Sequence, residues 1–208
     1  YVSNELSEQQ ERSRLYLSLG PGQKVQATSI RQIDARHQHA LLSVTSQLTL
    51  DAIIQVAETV GVQVEAIEPS LVALARAQGR QRNRCEAACL IVQVDERGVE
   101  LGICHEGHLL LDYRPAGRAA AANVHHIVEQ QLGRLERFLS RHHGYESAQI
   151  VDMYLCGEPG PVELARRRFA EQSDLNIHVL DPSAIEANWQ HSAKQRGSEL
   201  GDVLGGAL

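Results

Sequence analysis

The order of apolar runs along this chain predicts an α/β protein built around a mixed sheet, and three observations carry that expectation. Three β-type runs follow one another closely at residues 88–94, 99–104 and 109–113, with turns at 95–98 and at His105-Glu106-Gly107. That spacing is the pattern of an antiparallel meander. A long segment over 119–141 then sets Val124, Ile127, Val128, Leu132, Leu135, Phe138 and Leu139 on one helical face, and Gly144 stops it. After it, strand and helix patterns alternate: a strand at 150–156, a helix at 162–172, a strand at 177–180 and a small-residue helix at 199–208.

The upstream residues read as a smaller unit. Residues 1–23 are mostly polar and end in the turn Gly20-Pro21-Gly22. Residues 25–33 and 40–44 read as strands joined in a hairpin around 34–38. Thr49 precedes Leu50, Ile53, Ile54, Ala57 and Val60 at helical spacing, with Gly61 as the stop. Val62, Val64 and Ala66 alternate as a strand, Glu68-Pro69 breaks it, and 71–77 reads as a second helix ended by Gly79. The expected unit is therefore strand, helix, strand, helix. Arg80-Gln81-Arg82-Asn83-Arg84 has nothing apolar to bury, which places a boundary between residues 1–79 and residues 80–208.

Composition narrows the class. With 43% hydrophobic and 22% charged residues over 208 positions, the chain can bury a core and is neither disordered nor fibrous. Acidic residues outnumber basic ones by 26 to 20, giving −6, so a general electrostatic attraction to nucleic acid is absent. Cys85, Cys89, Cys104 and Cys156 are too sparse for a disulfide scaffold and read as reduced thiols. No apolar stretch approaches the 18 residues or so that a membrane span needs. The start at Tyr1, without Met or a signal pattern, reads as a fragment.

Three antiparallel strands followed by alternating helices and strands form the ribonuclease H-like arrangement that actin and the sugar kinases use twice. The fold class expected is thus an α/β, ribonuclease H-like or actin-like mixed-sheet domain, preceded by a partial first-half αβ subdomain. Local sequences narrow the resemblance. His39-Ala-Leu-Leu-Ser-Val-Thr-Ser, the helix from Thr49, Val62-Gln-Val-Glu-Ala-Ile-Glu-Pro69 and Leu71-Val-Ala-Leu-Ala-Arg76 together resemble a block of PilM-type pilus assembly proteins. Leu90-Ile-Val-Gln-Val-Asp95, Met153-Tyr-Leu-Cys-Gly157, Asn176-Ile-His-Val-Leu-Asp-Pro182 and the closing Leu204-Gly-Gly-Ala-Leu208 continue it. The resemblance covers residues 31–208 and leaves out the N-terminal third of such a protein, where the first phosphate hairpin lies. It implies a cytoplasmic protein held at the inner membrane through a short N-terminal peptide of a membrane-anchored pilus or secretion partner. Resemblance to the related GspL cytoplasmic region implies a membrane span beyond Leu208.

The chemistry expected of that fold is a phosphate site, and here its motifs are altered. An actin-like second hairpin needs a tight Gly turn and a small hydroxyl near the phosphates. This chain has Asp95-Glu96-Arg97-Gly98, with no Thr or Ser before Cys104. The adenosine-side motif needs two glycines after the apolar strand, and this chain has Gly157-Glu158-Pro159-Gly160. Asp95, Gly98, Gly157 and Gly160 are the candidate cofactor-binding positions, each equally readable as a turn residue. A zinc site from Cys85, Cys89, Cys104, His105 and His108 has poor spacing. The adjacent pairs His125-His126 and His142-His143 diverge by about 100° on a helix and do not chelate together. No Gly-x-Ser-x-Gly elbow or Ser-His pairing indicates a nucleophile, and Arg166-Arg167-Arg168 reads as a solvated helix face.

The reading that results is a non-catalytic or weakly nucleotide-binding scaffold of a pilus or secretion platform. It needs no cofactor or metal and has no catalytic residue. It takes its peptide either in the region before Arg80, on the hairpin edge of residues 25–44 or against the apolar wall of the helix from Thr49, or in the cleft between that region and the second unit. The alternative is a fragment of an actin-like ATPase or sugar-kinase-like phosphotransferase.

Overall fold

The computed structural model describes residues 17–32, 38–80, 87–95, 98–115, 123–141, 145 and 149–181. Strands β1 (Gln23–Gln32) and β2 (Gln38–Ser46) pair antiparallel, Val25 opposite Val44 and Ala27 opposite Leu42. Val25 and Ala27, two residues apart, are buried, as alternation on a half-covered sheet requires. Helix α1 (Gln47–Thr59) begins two residues before Thr49, with Ser46 extended at the N-cap position and the Gln47 side chain donating to Asp51 at 2.7 Å.

The end of α1 explains why the next expected element does not form. Gly61 takes φ +71°, its N–H bonds the Glu58 carbonyl at 3.1 Å, and the Val62 N–H bonds the Ala57 carbonyl at 2.9 Å. These are the two bonds of a Schellman stop. Residues 62–69 then run on without pairing, so the strand expected from Val62, Val64 and Ala66 is absent and the order is strand, strand, helix, helix. Alternating valines supply the local shape of a strand, but a strand also needs a neighbour's hydrogen-bonding edge, and among the described residues no strand pairs with this segment.

Helix α2 (Ser70–Gly79) follows Pro69, whose carbonyl accepts from Val72 and Ala73. Beyond it, β3 (Cys89–Asp95), β4 (Gly98–His105), β5 (His108–Tyr113), β6 (Asp152–Gly157) and β7 (Asn176–Val179) make one sheet in the order β5-β4-β3-β6-β7. The meander and the later strand share this sheet, as expected. β3 is antiparallel to β4 and parallel to β6, and β6 is parallel to β7. Helices α3 (Val124–Arg141) and α4 (Pro159–Gln172) complete the described elements. The helix expected at 199–208 lies outside the described residues, as do 119–122 of the long helix and 81–84 of the basic link.

β3 is buried on both faces over most of its length, which is why residues 88–92 form a continuous apolar run rather than an alternation. Leu90, Val92 and Val94 join Val128, Leu135 and Leu139 of α3 and Val162, Ala165 and Phe169 of α4. Cys89 and Ile91 face the other way, into a second core with Leu71, Leu74 and Ala75 of α2 and with Cys104, Leu109, Tyr154, Cys156 and Leu180. The sheet is thus the middle of three layers. Helix α2, grouped with the first unit by sequence, packs on the sheet of the second. It comes close: a Cβ on Gly79 would stand 2.4 Å from the Cα of Gly107. Buried Tyr145 sits between the rings of His39 on β2 and His105 on β4, tying the hairpin to the sheet.

Candidate functional site

The four candidate positions come together at the carboxyl end of the parallel strands, the place where open α/β sheets hold ligands. Val94 of β3 is opposite Gly157 of β6, and Asp95 is opposite Gly98 across the hairpin. What the structure adds is the use to which each group is already put. The Asp95 carboxylate accepts the Gly98 N–H at 3.1 Å, closing its own turn. An amide that would cradle a phosphate is therefore engaged within the hairpin.

Gly157 and Gly160 look alike in sequence and differ sharply in space. Gly157 has φ +133°, and a Cβ there would lie 1.8 Å from the Val94 carbonyl oxygen, which also accepts the Glu158 N–H at 3.1 Å. Only glycine lets β6 cross so close to the end of β3. Gly160, in the first turn of α4, would carry a Cβ with nothing within 4 Å. The N-terminus of α4 is also poor in donors: Pro159 and Pro161 have no N–H, and the Val162 N–H is bonded to the Glu158 carbonyl. Helix N-termini hold anions through free N–H groups, and two prolines remove two of them.

Carboxylates occupy the same edge. Asp95 ends β3, Glu158 follows β6, and Asp181 follows β7, where the Leu180 N–H bonds the Leu155 carbonyl at 2.8 Å. Asp181 was not singled out from sequence, because only the parallel register brings it beside Cys156. Burial pushes the Cys156 thiol above its ordinary 9.0 and the Asp181 charge adds to this, against a backbone hydrogen bond from Gly157 that lowers it. The folded value exceeds the unfolded one. The stability gained from the neutral thiol is therefore present below pH 9.0 and lost as pH rises through the raised value. Native-state alkylation of Cys156, followed by peptide mapping, is expected to be slower than for an exposed thiol at the same pH, and Asp181→Asn is expected to speed it. Equal rates before and after that substitution would remove Asp181 from the account.

The other sequence candidates are scattered. Cys89 and Cys104 face each other across β3 and β4, both buried, and the Cys104 thiol points to the Gln78 side-chain oxygen at 3.5 Å. Cys85 lies outside the described residues. His105 and His108 flank the Glu106-Gly107 turn. Arg166 and Arg167 both bind Glu163 at 2.8 Å and hold its carboxyl down at about 2.

A second surface stands apart from this edge. No described residue of α1 is buried. Leu48 is 78% exposed, Val60 69% and Val56 64%, and Ile53, Ile54 and Val62 are exposed as well. The helical spacing read from sequence is real, but the face is only partly covered: Leu50 and Ala57 are half-buried, while Ile53, Ile54 and Val60 are exposed.

No family model matches the chain, and no curated protein matches it. Among solved structures it is similar to a chain of a PilM-PilN type IV pilus biogenesis complex, with TM-score 0.60 at 9% identity over 86% of this chain and 64% of that one. A protein with actin-like ATPase fold and unknown function from Bacteroides thetaiotaomicron aligns with TM-score 0.44 at 10% identity, over 84% of this chain and 61% of that one. The chain spans less than two-thirds of either. Its fold is α/β and matches that of the PilM-PilN complex chain. Among the described residues no helix is long and apolar enough to cross a membrane.

Proposed function

We propose that the chain is a non-catalytic scaffold of a pilus or secretion assembly platform that binds a short peptide of a membrane-anchored partner. The observation that carries this reading is α1, a helix on which the aliphatic side chains of Leu48, Ile53, Ile54 and Val56 are exposed. Exposed aliphatic surface of this kind marks recognition sites, and an apolar helix face is a common wall for a short peptide. Similarity to a chain of the PilM-PilN complex supports a peptide of a pilus membrane protein as the occupant. The altered phosphate edge supports the absence of catalysis: its turn amide is engaged, its helix terminus carries two prolines, and its charges are carboxylates. Phosphoryl transfer needs the opposite, donors and metal arrayed around the phosphates.

The test is calorimetric titration of the chain with cytoplasmic N-terminal peptides encoded beside it, in parallel with ATP and magnesium. Peptide binding is expected, and Ile53→Glu with Val56→Glu is expected to abolish it while leaving the unfolding midpoint unchanged. Absence of binding at about millimolar peptide, roughly −4 kcal/mol, would overturn the reading. Magnesium-dependent ATP hydrolysis lost in Asp95→Ala would favour the ATPase or sugar-kinase alternative instead.

A further inference from the structure

Along α3 the charged side chains are sorted by sign. Arg134, Arg137 and Arg141 fall within about 60° of one another around the helix axis, while Glu129 and Glu136 lie on the other side. The three arginines are exposed, half-buried Phe138 sits among them, and together they line an open depression of about 350 Å³. Among the described residues no carboxylate pairs with any of the three, whereas Arg76, Arg114, Arg166 and Arg167 all have carboxylate partners. What contacts they have set their pose: Arg137 Nε donates to the Gly133 carbonyl at 2.9 Å, Arg134 donates to the Gln131 side chain at 3.4 Å, and the Arg134 guanidinium lies 5.8 Å from the Tyr113 ring centroid. Helix-dipole compensation accounts for Arg141 in the last turn but not for the other two.

We propose that this groove receives the phosphate-bearing headgroups of an anionic membrane surface. A guanidinium fork matches phosphate oxygens, which lysine does not do in the same way. Phe138 gives the stripe the apolar body that interfacial helices carry beside their basic residues. The four described residues that line it all belong to α3. The inference is independent of the peptide reading, and either can fail alone, because the probe contains no protein.

The experiment is flotation of the full chain with phosphatidylcholine vesicles, with and without phosphatidylglycerol, at low salt. Binding is expected only with the anionic lipid and is expected to vanish at high salt. Arg137→Gln with Arg141→Gln is expected to weaken it about 30-fold, some fivefold per arginine. Arg166→Gln with Arg167→Gln, the same loss of charge elsewhere, is expected to leave it unchanged. Circular dichroism checks that both double variants fold. Failure to bind, equal binding to both vesicles, or equal loss in both variants would overturn the proposal. So would arginine-dependent binding of inorganic phosphate or polyglutamate without binding of vesicles, which would assign the groove to a soluble phosphate or an acidic peptide.

Discussion

Gly157→Ala is expected to lower stability by about 3 kcal/mol or more, whereas Gly160→Ala changes it by less than about 1 kcal/mol. At Gly157 the added methyl would meet the Val94 carbonyl at 1.8 Å, on a backbone whose φ of +133° already excludes ordinary side chains. Relief requires β6 to move away from β3. That movement breaks the bond from the Glu158 N–H to the Val94 carbonyl and weakens the end of the central ladder, each bond being worth about 1 kcal/mol. At Gly160 the methyl meets nothing within 4 Å outside its chain neighbours, and the helix preference for alanine offsets the crowding that the following Pro161 imposes. Urea unfolding of the two variants decides the matter. A Gly157→Ala variant within about 1 kcal/mol of the wild type would show that the crossing relaxes cheaply; an equally costly Gly160→Ala would show that packing at α4 has been misjudged.

A fragment of residues 80–208 is expected to lose cooperative unfolding, and a fragment of 70–208 to retain it. Removing α2 strips Leu71, Leu74 and Ala75 from one face of the sheet and exposes Ile91, Cys104, Leu109 and Tyr154. At about 1.5–3 kcal/mol for each large side chain returned to water, the loss exceeds about 5 kcal/mol, comparable with the whole stability of a small domain. In the full chain, Leu71→Ala alone is expected to cost about 3 kcal/mol. Thermal unfolding with a dye for exposed apolar surface reports the difference. A sharp transition at the same midpoint in both fragments would show that residues 80–208 are self-sufficient.

These two expectations mark where sequence reasoning stops. Helix and strand types were legible wherever a residue's fate depended on near neighbours. Gly61 as a stop needs only a left-handed residue after α1, and the apolar run of β3 needs only burial on both faces. The strand expected at 62–66 failed because pairing depends on a remote edge. The exposure of α1 was hidden for a similar reason: amphipathic spacing shows that a face is apolar and does not show whether anything covers it.

The sequence by itself determined the α/β class and the meander, since these follow from local periodicity, turn chemistry and residue type. It also showed that Asp95-Glu96-Arg97-Gly98 and Gly157-Glu158-Pro159-Gly160 depart from a phosphate-binding pattern. Only the tertiary structure decided that Gly157 is required by the Val94 carbonyl while Gly160 is not, and that α2 belongs to the core of the five-stranded sheet. Each of those facts is a distance between residues far apart in the chain, set by strand register and layer packing, which no local pattern encodes.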